Sequence, residues 1–402
     1  MRNATVRAVN RLTTRWAAQA PGSAPGTVLA AAGVWPLLAL LADGAAGPAR
    51  AELEEALGIP AEGAAAAAGE LLAALAGVRG LKAATGLWTE AGLPLEEAWS
   101  AKLPAGARGR LTGDPDADAE ALDAWASDRT GGLIERMPVS LDQDSLLVLA
   151  SALTLRLRWI QPFEEAYGGP CAGRWADRPV RMLLRRTSLL DRVRVAHGPS
   201  GAVTLLEVVG AAGVDVHLAL GGAEAPVGDT LTTAIDAVTR ALPATGASLL
   251  PDGSPGPGLV VGTVTAHSPE PRLDIETAAF EVRSDQDLLD HARLFGLEAA
   301  TDRDHGHFPG ISCRPLAIAS ARQSALARFH AEGFEAAAVT AVEAVVGCAP
   351  TLPRPRYRAR RAEVCFDRPF GFLIVHRTSR LVLAAGWVAE PETEPETEPE
   401  AP

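Results

Sequence analysis

The stretch that decides the fold is Glu332-Gly333-Phe334-Glu335-Ala336-Ala337-Ala338-Val339-Thr340-Ala341-Val342. Its side chains are mostly small or well tolerated in strands, and the side chains of a strand alternate between two faces. One face would carry Phe334, Ala336, Ala338, Thr340 and Val342, none of which is charged. The pattern predicts a strand fit for burial, yet no obvious turn joins it to a neighbouring strand.

The residues after this strand have the composition of an exposed loop. Gly347, Pro350, Pro353 and Pro355 interrupt any strand pairing, and the arginines between positions 354 and 361 require water. Order is predicted to resume at Glu363-Val364-Cys365-Phe366-Asp367-Arg368-Pro369-Phe370, followed by a hairpin. A segment fit to be a buried strand therefore leads directly into an exposed loop.

This combination resembles the serpins, a family of protease inhibitors and their relatives. The hinge pattern Glu-Gly-x-Glu-Ala-Ala-Ala-x-Thr-Ala at 332–341 and the Phe-x-x-Pro-Phe motif at 366–370 stand in the family's order. The likeness extends along nearly the whole chain, through segments such as 130–134, 146–163, 271–275 and 308–311. The chain is identified as a divergent, bacterial-type member of this family.

The resemblance implies an α+β serpin fold. Helices would pack on a large central β-sheet, with additional smaller sheets and an exposed reactive loop at about 332–362. A single domain is expected over 1–391, and residues 392–402 are rich in Pro, Glu and Thr. That composition predicts a disordered acidic tail.

Composition is that of an ordinary soluble globular protein. The 402 residues are 48% hydrophobic and 21% charged, and the net charge of −12 argues against nucleic acid and against an anionic membrane surface. Met1 to Gly26 lacks the apolar run of a secretory signal, which favours the cytoplasm; an extracellular location is the alternative, as for many serpins. The four cysteines have no paired spacing and are expected to be free thiols. We expect a monomer.

Motifs of enzyme chemistry are not found in the sequence. Asp114, Asp116 and Asp118 have the spacing that opens a calcium loop, but no glycine holds the sixth position, so a helix cap at Asp118 is expected instead. His305 and His307 lack a third metal ligand nearby in sequence. We therefore expect no metal, no cofactor and no catalytic residue.

The resemblance implies a suicide-substrate inhibitor of serine proteases. A protease would cut the exposed loop, and the freed hinge would insert into the central sheet and trap the acyl-enzyme. Counting forward from the hinge places the cut at Gly347–Cys348, which would suit elastase-like or subtilisin-like enzymes. Counting backward from Glu363 places it at Arg358–Ala359, which would suit trypsin-like ones. The two counts differ by eleven residues, so the loop is longer than usual.

Departures from the family pattern leave a second function open. Phe334 stands where a small residue is usual, so its burial on insertion is expected to slow trapping, and Phe334→Thr to raise the yield of complex. The residues expected to control sheet opening are Gly33, Ser151 and Gln323, with Ser151 and Gln323 able to bond each other. The alternative is a non-inhibitory serpin-fold binding or carrier protein that is only a protease substrate.

Overall fold

The computed structural model describes residues 2–22, 26–104, 106–139, 141–142, 145–170, 173–302, 304–334 and 356–393. Within these ranges the helices are α1 (Asn3–Ala17), α2 (Ala31–Gly44), α3 (Gly47–Leu57), α4 (Ala64–Ala76), α5 (Glu97–Ser100), α6 (Pro115–Thr130), α7 (Val227–Thr239) and α8 (Ala292–Phe295). Together with the strands they give the predicted α+β class.

The strands of the described ranges form three sheets. They are β1 (Thr27–Leu29), β2 (Leu81–Glu90), β3 (Arg108–Leu111), β4 (Leu147–Leu155), β5 (Leu157–Arg158), β6 (Glu164–Tyr167), β7 (Arg181–Thr187), β8 (Val193–Gly198), β9 (Gly201–Val209), β10 (Val214–Leu220), β11 (Ala244–Gly246), β12 (Gly253–Gly256), β13 (Leu259–Ala266), β14 (Arg272–Ala278), β15 (Phe280–Asp287), β16 (Ile318–Phe329), β17 (Gly333–Phe334), β18 (Tyr357–Cys365), β19 (Phe370–His376) and β20 (Leu381–Val388).

The central sheet is organised around the parallel pair β4 and β16. Its order is β3-β2-β4-β16-β15, and the short strands β17 and β5 extend it beyond the end of that pair. All nine residues of β4 are buried, as expected of a central strand covered on both faces. Leu147 and Leu149 belong to the main core with α2, whereas Val148 and Ala150 pack with residues of α6.

Two further sheets complete the molecule. The second sheet has the order β1-β20-β19-β10-β9-β8-β11 and is covered by α1 and α7; the third sheet has the order β12-β13-β18-β14-β7-β6. The predicted closing hairpin is formed by β19 and β20 of the second sheet. Helix α2 lies between the central and second sheets and contacts both β4 and β20. Thirteen of its fourteen residues are buried, so its apolar character on all sides follows from its position.

Two local predictions were wrong. The arginines from Arg358 onward belong to β18 and not to the loop. The cap of α6 is Asp114, whose carboxylate accepts from the backbone N–H groups of Asp116 and Ala117; Asp118 instead accepts from the backbone of the preceding turn.

Aromatic side chains fill the core where β16 ends. The ring of Phe329 stacks on Phe280 with centroids 5.3 Å apart, and it also meets Trp159 at 4.9 Å and Phe163 at 5.7 Å. Aromatic pairs of this kind add to the stabilisation from buried area. The cluster joins β15, β16 and the chain after β5 into one unit directly beside β17.

Phe329→Ala should destabilise the protein by about 3–5 kcal/mol, because it removes a fully buried ring and leaves a cavity among three aromatic neighbours. Urea unfolding followed by circular dichroism measures this difference. Tyr357→Ala is the control, because that ring is about half exposed and its loss should cost far less. Equal losses for the two variants would contradict the assignment of Phe329 to the core.

Candidate functional site at the hinge and the central sheet

The start of the hinge is already paired in the central sheet. In β17, Phe334 is the antiparallel partner of Phe329 in β16 and of Leu157 in β5. The residue before β17 is bonded as well, since the carbonyl oxygen of Glu332 accepts a hydrogen bond from the backbone N–H of Trp159 at 3.1 Å. Glu332 is exposed, whereas Gly333 and Phe334 are buried. Two hinge residues therefore sit between the ends of the two flanking strands before any cleavage.

Gly333 is required by this close packing. A Cβ atom at position 333 would lie 2.2 Å from the carbonyl oxygen of Leu157, a backbone atom that has no freedom to move aside. Phe334 corrects the sequence-based expectation, because its side chain is 0% exposed in this state. Its burial is thus not a cost of loop insertion, and the expected gain from Phe334→Thr loses its physical basis.

Beyond the end of β17 the central sheet is closed, which means that β4 and β16 are adjacent strands. β4 and β16 pair directly and in parallel, from Leu147 opposite Ile318 to Leu153 opposite Ala325. Parallel pairs are slightly less stable per residue than antiparallel ones. A strand that continued β17 in the same direction would have to separate β4 from β16.

Gln323 ties the closed sheet to the start of α2. Its carboxamide accepts from the backbone N–H of Ala30 and donates to the carbonyl oxygen of Ala30, both at 2.9 Å. The expected bond between Ser151 and Gln323 is absent, since the Ser151 hydroxyl has no hydrogen-bond partner among the described residues. Gly33 lets α2 approach at this level, because a Cβ there would lie 2.5 Å from the Ser151 Oγ.

The three predicted sheet-opening residues therefore meet in space, and a row of polar residues extends from them. In register across four neighbouring strands stand Thr85, Ser151, Gln323 and Gln286. The hydroxyl of Thr85, like that of Ser151, is buried without a partner in the described structure. Thr85 and Gln286 were missed by sequence reasoning; only their polar character within otherwise apolar or alternating strands could have indicated them.

The chain after β20 also reaches the hinge. The backbone of Glu392 bonds to that of Arg181 at 2.9 Å and to that of Ala279 at 2.8 Å, so order continues through Thr393 and the tail does not begin at 392 as predicted. The Glu392 carboxylate lies 3.4 Å from Nδ1 of His330, whose backbone N–H bonds the carbonyl oxygen of Gly333. The segment after β20 is thereby connected to the hinge turn.

Of the two predicted reactive bonds, only the alternative one lies among the described residues. Gly347, Cys348 and the hinge residues Glu335, Ala336, Ala337, Ala338, Val339 and Thr340 lie outside the described residues. The alternative bond, Arg358–Ala359, lies within β18, where both residues pair with β13 and Ala359 is 4% exposed. A protease needs an accessible extended segment, so this placement argues against the alternative bond.

Comparison with known proteins places this geometry in a family. A model described as serpin (serine protease inhibitor) matches residues 8–170 and 263–391, more than half of the chain. The chain belongs to the serpin family. This confirms the family and fold predicted from the hinge and the Phe-x-x-Pro-Phe motif.

Individual serpins resemble this chain only distantly. Human plasminogen activator inhibitor 2 is 25% identical over 276 residues, which cover 67% of this chain and 60% of that protein, less than two thirds of its length. The putative serpin-Z6C of rice (Oryza sativa subsp. japonica) is 26% identical over 412 residues and 93% of both chains. Human thyroxine-binding globulin complexed with thyroxine matches in fold, with a TM-score of 0.71 at 17% identity over 98% of this chain and 99% of that one.

Other site types were sought in the described part of the chain. No group of three or more His, Cys, Asp or Glu side chains there is arranged to hold a metal ion. His305 and His307 both face the carboxylate of Asp302, at 2.8 Å and 3.7 Å. None of the described helices combines the length and the apolar character needed to span a membrane.

Gln323→Ala should lower the free energy of unfolding by about 1–3 kcal/mol, because it leaves the backbone N–H of Ala30 buried without a partner, while the Ala30 carbonyl oxygen still accepts from the N–H of Gly33. Ser151→Ala is the matched control on the neighbouring strand and should change stability by less than about 0.5 kcal/mol, since its hydroxyl has no partner to lose. Thermal and urea unfolding measure both. Equal effects of the two substitutions would contradict the role of the Gln323–Ala30 bonds.

Glu392 should make stability depend on acid pH. The contact with the His330 side chain and the charge of Arg181 lower the pKa of Glu392 below its ordinary value of 4.5. A lowered pKa stabilises the folded state at pH values above the unfolded pKa, and this contribution disappears as pH falls through the folded pKa. The difference in Tm between wild type and Glu392→Gln should therefore be present at about pH 5.5 and shrink toward pH 3. A difference that grows on acidification would refute the contact.

Proposed function

We propose that this serpin is a suicide-substrate inhibitor of serine proteases that traps the acyl-enzyme by inserting its hinge between β4 and β16. The observation that carries the proposal is the position of β17. This strand is antiparallel both to β16 and to β5, which continues the line of β4. Insertion would exchange one parallel interface for two antiparallel ones, and the first residue pairs of both are already formed.

Continuing the two registers gives one consistent inserted strand. Counted from Phe334 opposite Phe329, residue 340 would stand opposite Gln323 of β16; counted from Phe334 opposite Leu157, it would stand opposite Ser151 of β4. Gln323 and Ser151 are partners in the closed sheet, so both counts lead to the same level. In the inserted state Thr340 would therefore enter beside the Ser151 hydroxyl, which has no partner in the described closed sheet.

The other side chains of the inserted strand would also meet compatible neighbours on both of its faces. In the same register, Glu335 would stand between Arg156 and Arg328 at the upper end of the sheet. An opposite charge on a neighbouring strand favours pairing. Ala336 and Ala338 would face the core between Phe334 and Thr340, where small side chains avoid overpacking. The alternation of side chains predicted from the sequence thus matches the residues that would flank a strand inserted between β4 and β16.

The energy of insertion is adequate for trapping. About a dozen inserted residues form about as many additional backbone hydrogen bonds, each with a net value of about 0.5–1.5 kcal/mol, or on the order of 10 kcal/mol before side-chain burial. Part of this gain is offset because β4 must separate from β16. If α2 must also shift, the hydrogen bonds between Gln323 and Ala30 break, which offsets a further part. Inhibition requires that insertion be faster than hydrolysis of the acyl-enzyme.

We propose Gly347–Cys348 as the reactive bond. It lies thirteen residues after Phe334, and the apolar residues Ala344, Val345 and Val346 precede it, which suits elastase-like or subtilisin-like proteases. The protein should be mixed with subtilisin-type, elastase-type and trypsin-type proteases and analysed on a denaturing gel. A covalent band at the summed mass, with a released peptide that begins at Cys348, is the expected result. Complete cleavage without such a band would favour the non-inhibitory alternative.

A charged residue in the inserted strand should convert the inhibitor into a substrate. Thr340→Arg would place a guanidinium group in the core at the level of Ser151, so we expect at least a tenfold lower yield of covalent complex with cleavage unimpaired. Thr351→Arg is the matched control, because the same substitution beyond the proposed bond never enters the sheet. Equal yields for the two variants would contradict insertion in this register.

A further inference from the structure

One edge of β13 is covered along only part of its length. β12 pairs with β13 as far as Val261 and no further. From Gly262 to Ala266, β13 pairs with β18 on one side, and no strand in the described part of the chain lies on its other side. The side chains of Thr263, Val264 and Thr265 are exposed. We call the uncovered side of residues 262–266 the free edge of β13.

Two threonines direct their backbone groups toward this free edge. The carbonyl oxygen of Gly258 accepts from the backbone N–H of Cys365 at the end of β18, and the direction of the backbone groups alternates along a strand. The even-numbered residues of β13 therefore bond toward β18, whereas Thr263 and Thr265 direct their N–H and C=O groups away from it. A row of such groups is a template for pairing with another chain.

The free edge lacks the features that usually prevent such pairing. Natural edge strands are protected by charged side chains or by proline. Residues 259–266 of β13 read Leu-Val-Val-Gly-Thr-Val-Thr-Ala and contain neither. β12 carries Pro255 but covers only the first part of β13. β12, which sets where the free edge begins, lies within residues 171–262, the part of the chain that the family model does not match.

Gly262 fits the close approach of another chain. Its φ angle is not positive, and a Cβ atom there would meet nothing within 4 Å. Neither the backbone nor the packing of this chain therefore requires glycine, although glycine inside a strand reduces stability and often marks a close approach. On the same outer face of the sheet, the side chains of Val264 and Tyr357 are 38% and 48% exposed. The surface beside the free edge is therefore apolar and open.

We propose that the free edge of β13 pairs with the same edge of a second copy of this chain, antiparallel about a two-fold axis at Val264. Because Val264 is the centre of the free edge, Thr263 meets Thr265 of the second copy, and each such pair exchanges both of its backbone hydrogen bonds. The two Val264 side chains meet at the axis. Gly262 lies opposite Ala266 of the second copy, which leaves room for the Tyr357 ring beside that alanine.

The distribution of charge favours a second copy as the occupant. The protein carries a net charge of −12, but the free edge itself is uncharged, so two copies can meet there without opposing like charges. Asp252, which also pairs with Arg360, precedes β12 at one end of the free edge, and the exposed His267 follows β13 at the other. The two-fold axis brings His267 of each copy to the Asp252 end of the other.

The dimer should be weak and reversible, because an interface of a few strand residues lies at the small end of the range for specific association. This differs from the monomer expected from the sequence. The pairing involves neither the reactive bond nor insertion of the hinge, so this proposal and the proposed inhibitory function can each fail without the other.

The test is sedimentation equilibrium of the whole protein from low micromolar to submillimolar concentration, combined with hydrogen–deuterium exchange. The expected result is a monomer–dimer equilibrium, with slower exchange of the Thr263 and Thr265 amides at the higher concentration. A monomer at every concentration would overturn the proposal. A monomer whose Thr263 and Thr265 amides are already protected would also overturn it, because another segment of the same chain would then cover the edge.

Substitutions locate the interface. Val264→Lys places two like charges face to face at the axis and should weaken dimerisation at least about tenfold. Val260→Lys is the matched control, because this side chain lies on the same face and is 53% exposed, but β12 covers the edge beside it. If Val264→Lys fails to fold, Thr263→Pro replaces it, since it removes an N–H directed at the free edge and none directed at β18. Equal dimerisation of the folded edge variant and the control would refute the assignment.

Discussion

The direct parallel pairing of β4 with β16 is the constraint on which the rest of this structure depends. It closes the central sheet with the less stable of the two kinds of strand pair, over seven residue partners. Helix α2 lies against this pair, and Gly33 permits the approach because any side chain would collide with Ser151. Gln323 then fastens the pair to the backbone before α2. The closed state is held by a few defined contacts at one level.

The hinge is seated immediately above this closed pair. Gly333 passes the Leu157 carbonyl at a distance that only glycine tolerates, and Phe334 is buried beside the aromatic cluster around Phe329. A bulky residue that looked like an obstacle to insertion is instead part of the native core. His330 links this turn to Glu392, so the hinge, the end of β16 and the chain after β20 are held together by neighbouring contacts.

Arginines of the third sheet are paired with acidic groups. Arg186, Arg272 and Arg361 surround Asp274. Burial by itself would raise the pKa of Asp274, but the hydrogen bonds and charges of Arg272 and Arg186 lower it below its ordinary value. Arg360 and Arg361 of β18 pair with Asp252 and Asp274, so part of the charge of this arginine-rich strand is neutralised by neighbouring carboxylates.

The sequence by itself determined the family through two short motifs, and the resemblance to that family implied the α+β class. Apolar runs in the sequence match the central strand β4 and the closing hairpin. It also identified Gly33, Ser151 and Gln323 as residues of one region. Only the tertiary structure decided the partners: Gln323 bonds Ala30 and not Ser151, and Phe334 is buried before cleavage. It also placed Arg358 in a paired strand. The partners of a residue depend on which segments, distant in sequence, come together at the same height of the sheet. The periodicity of a single strand carries no information about that.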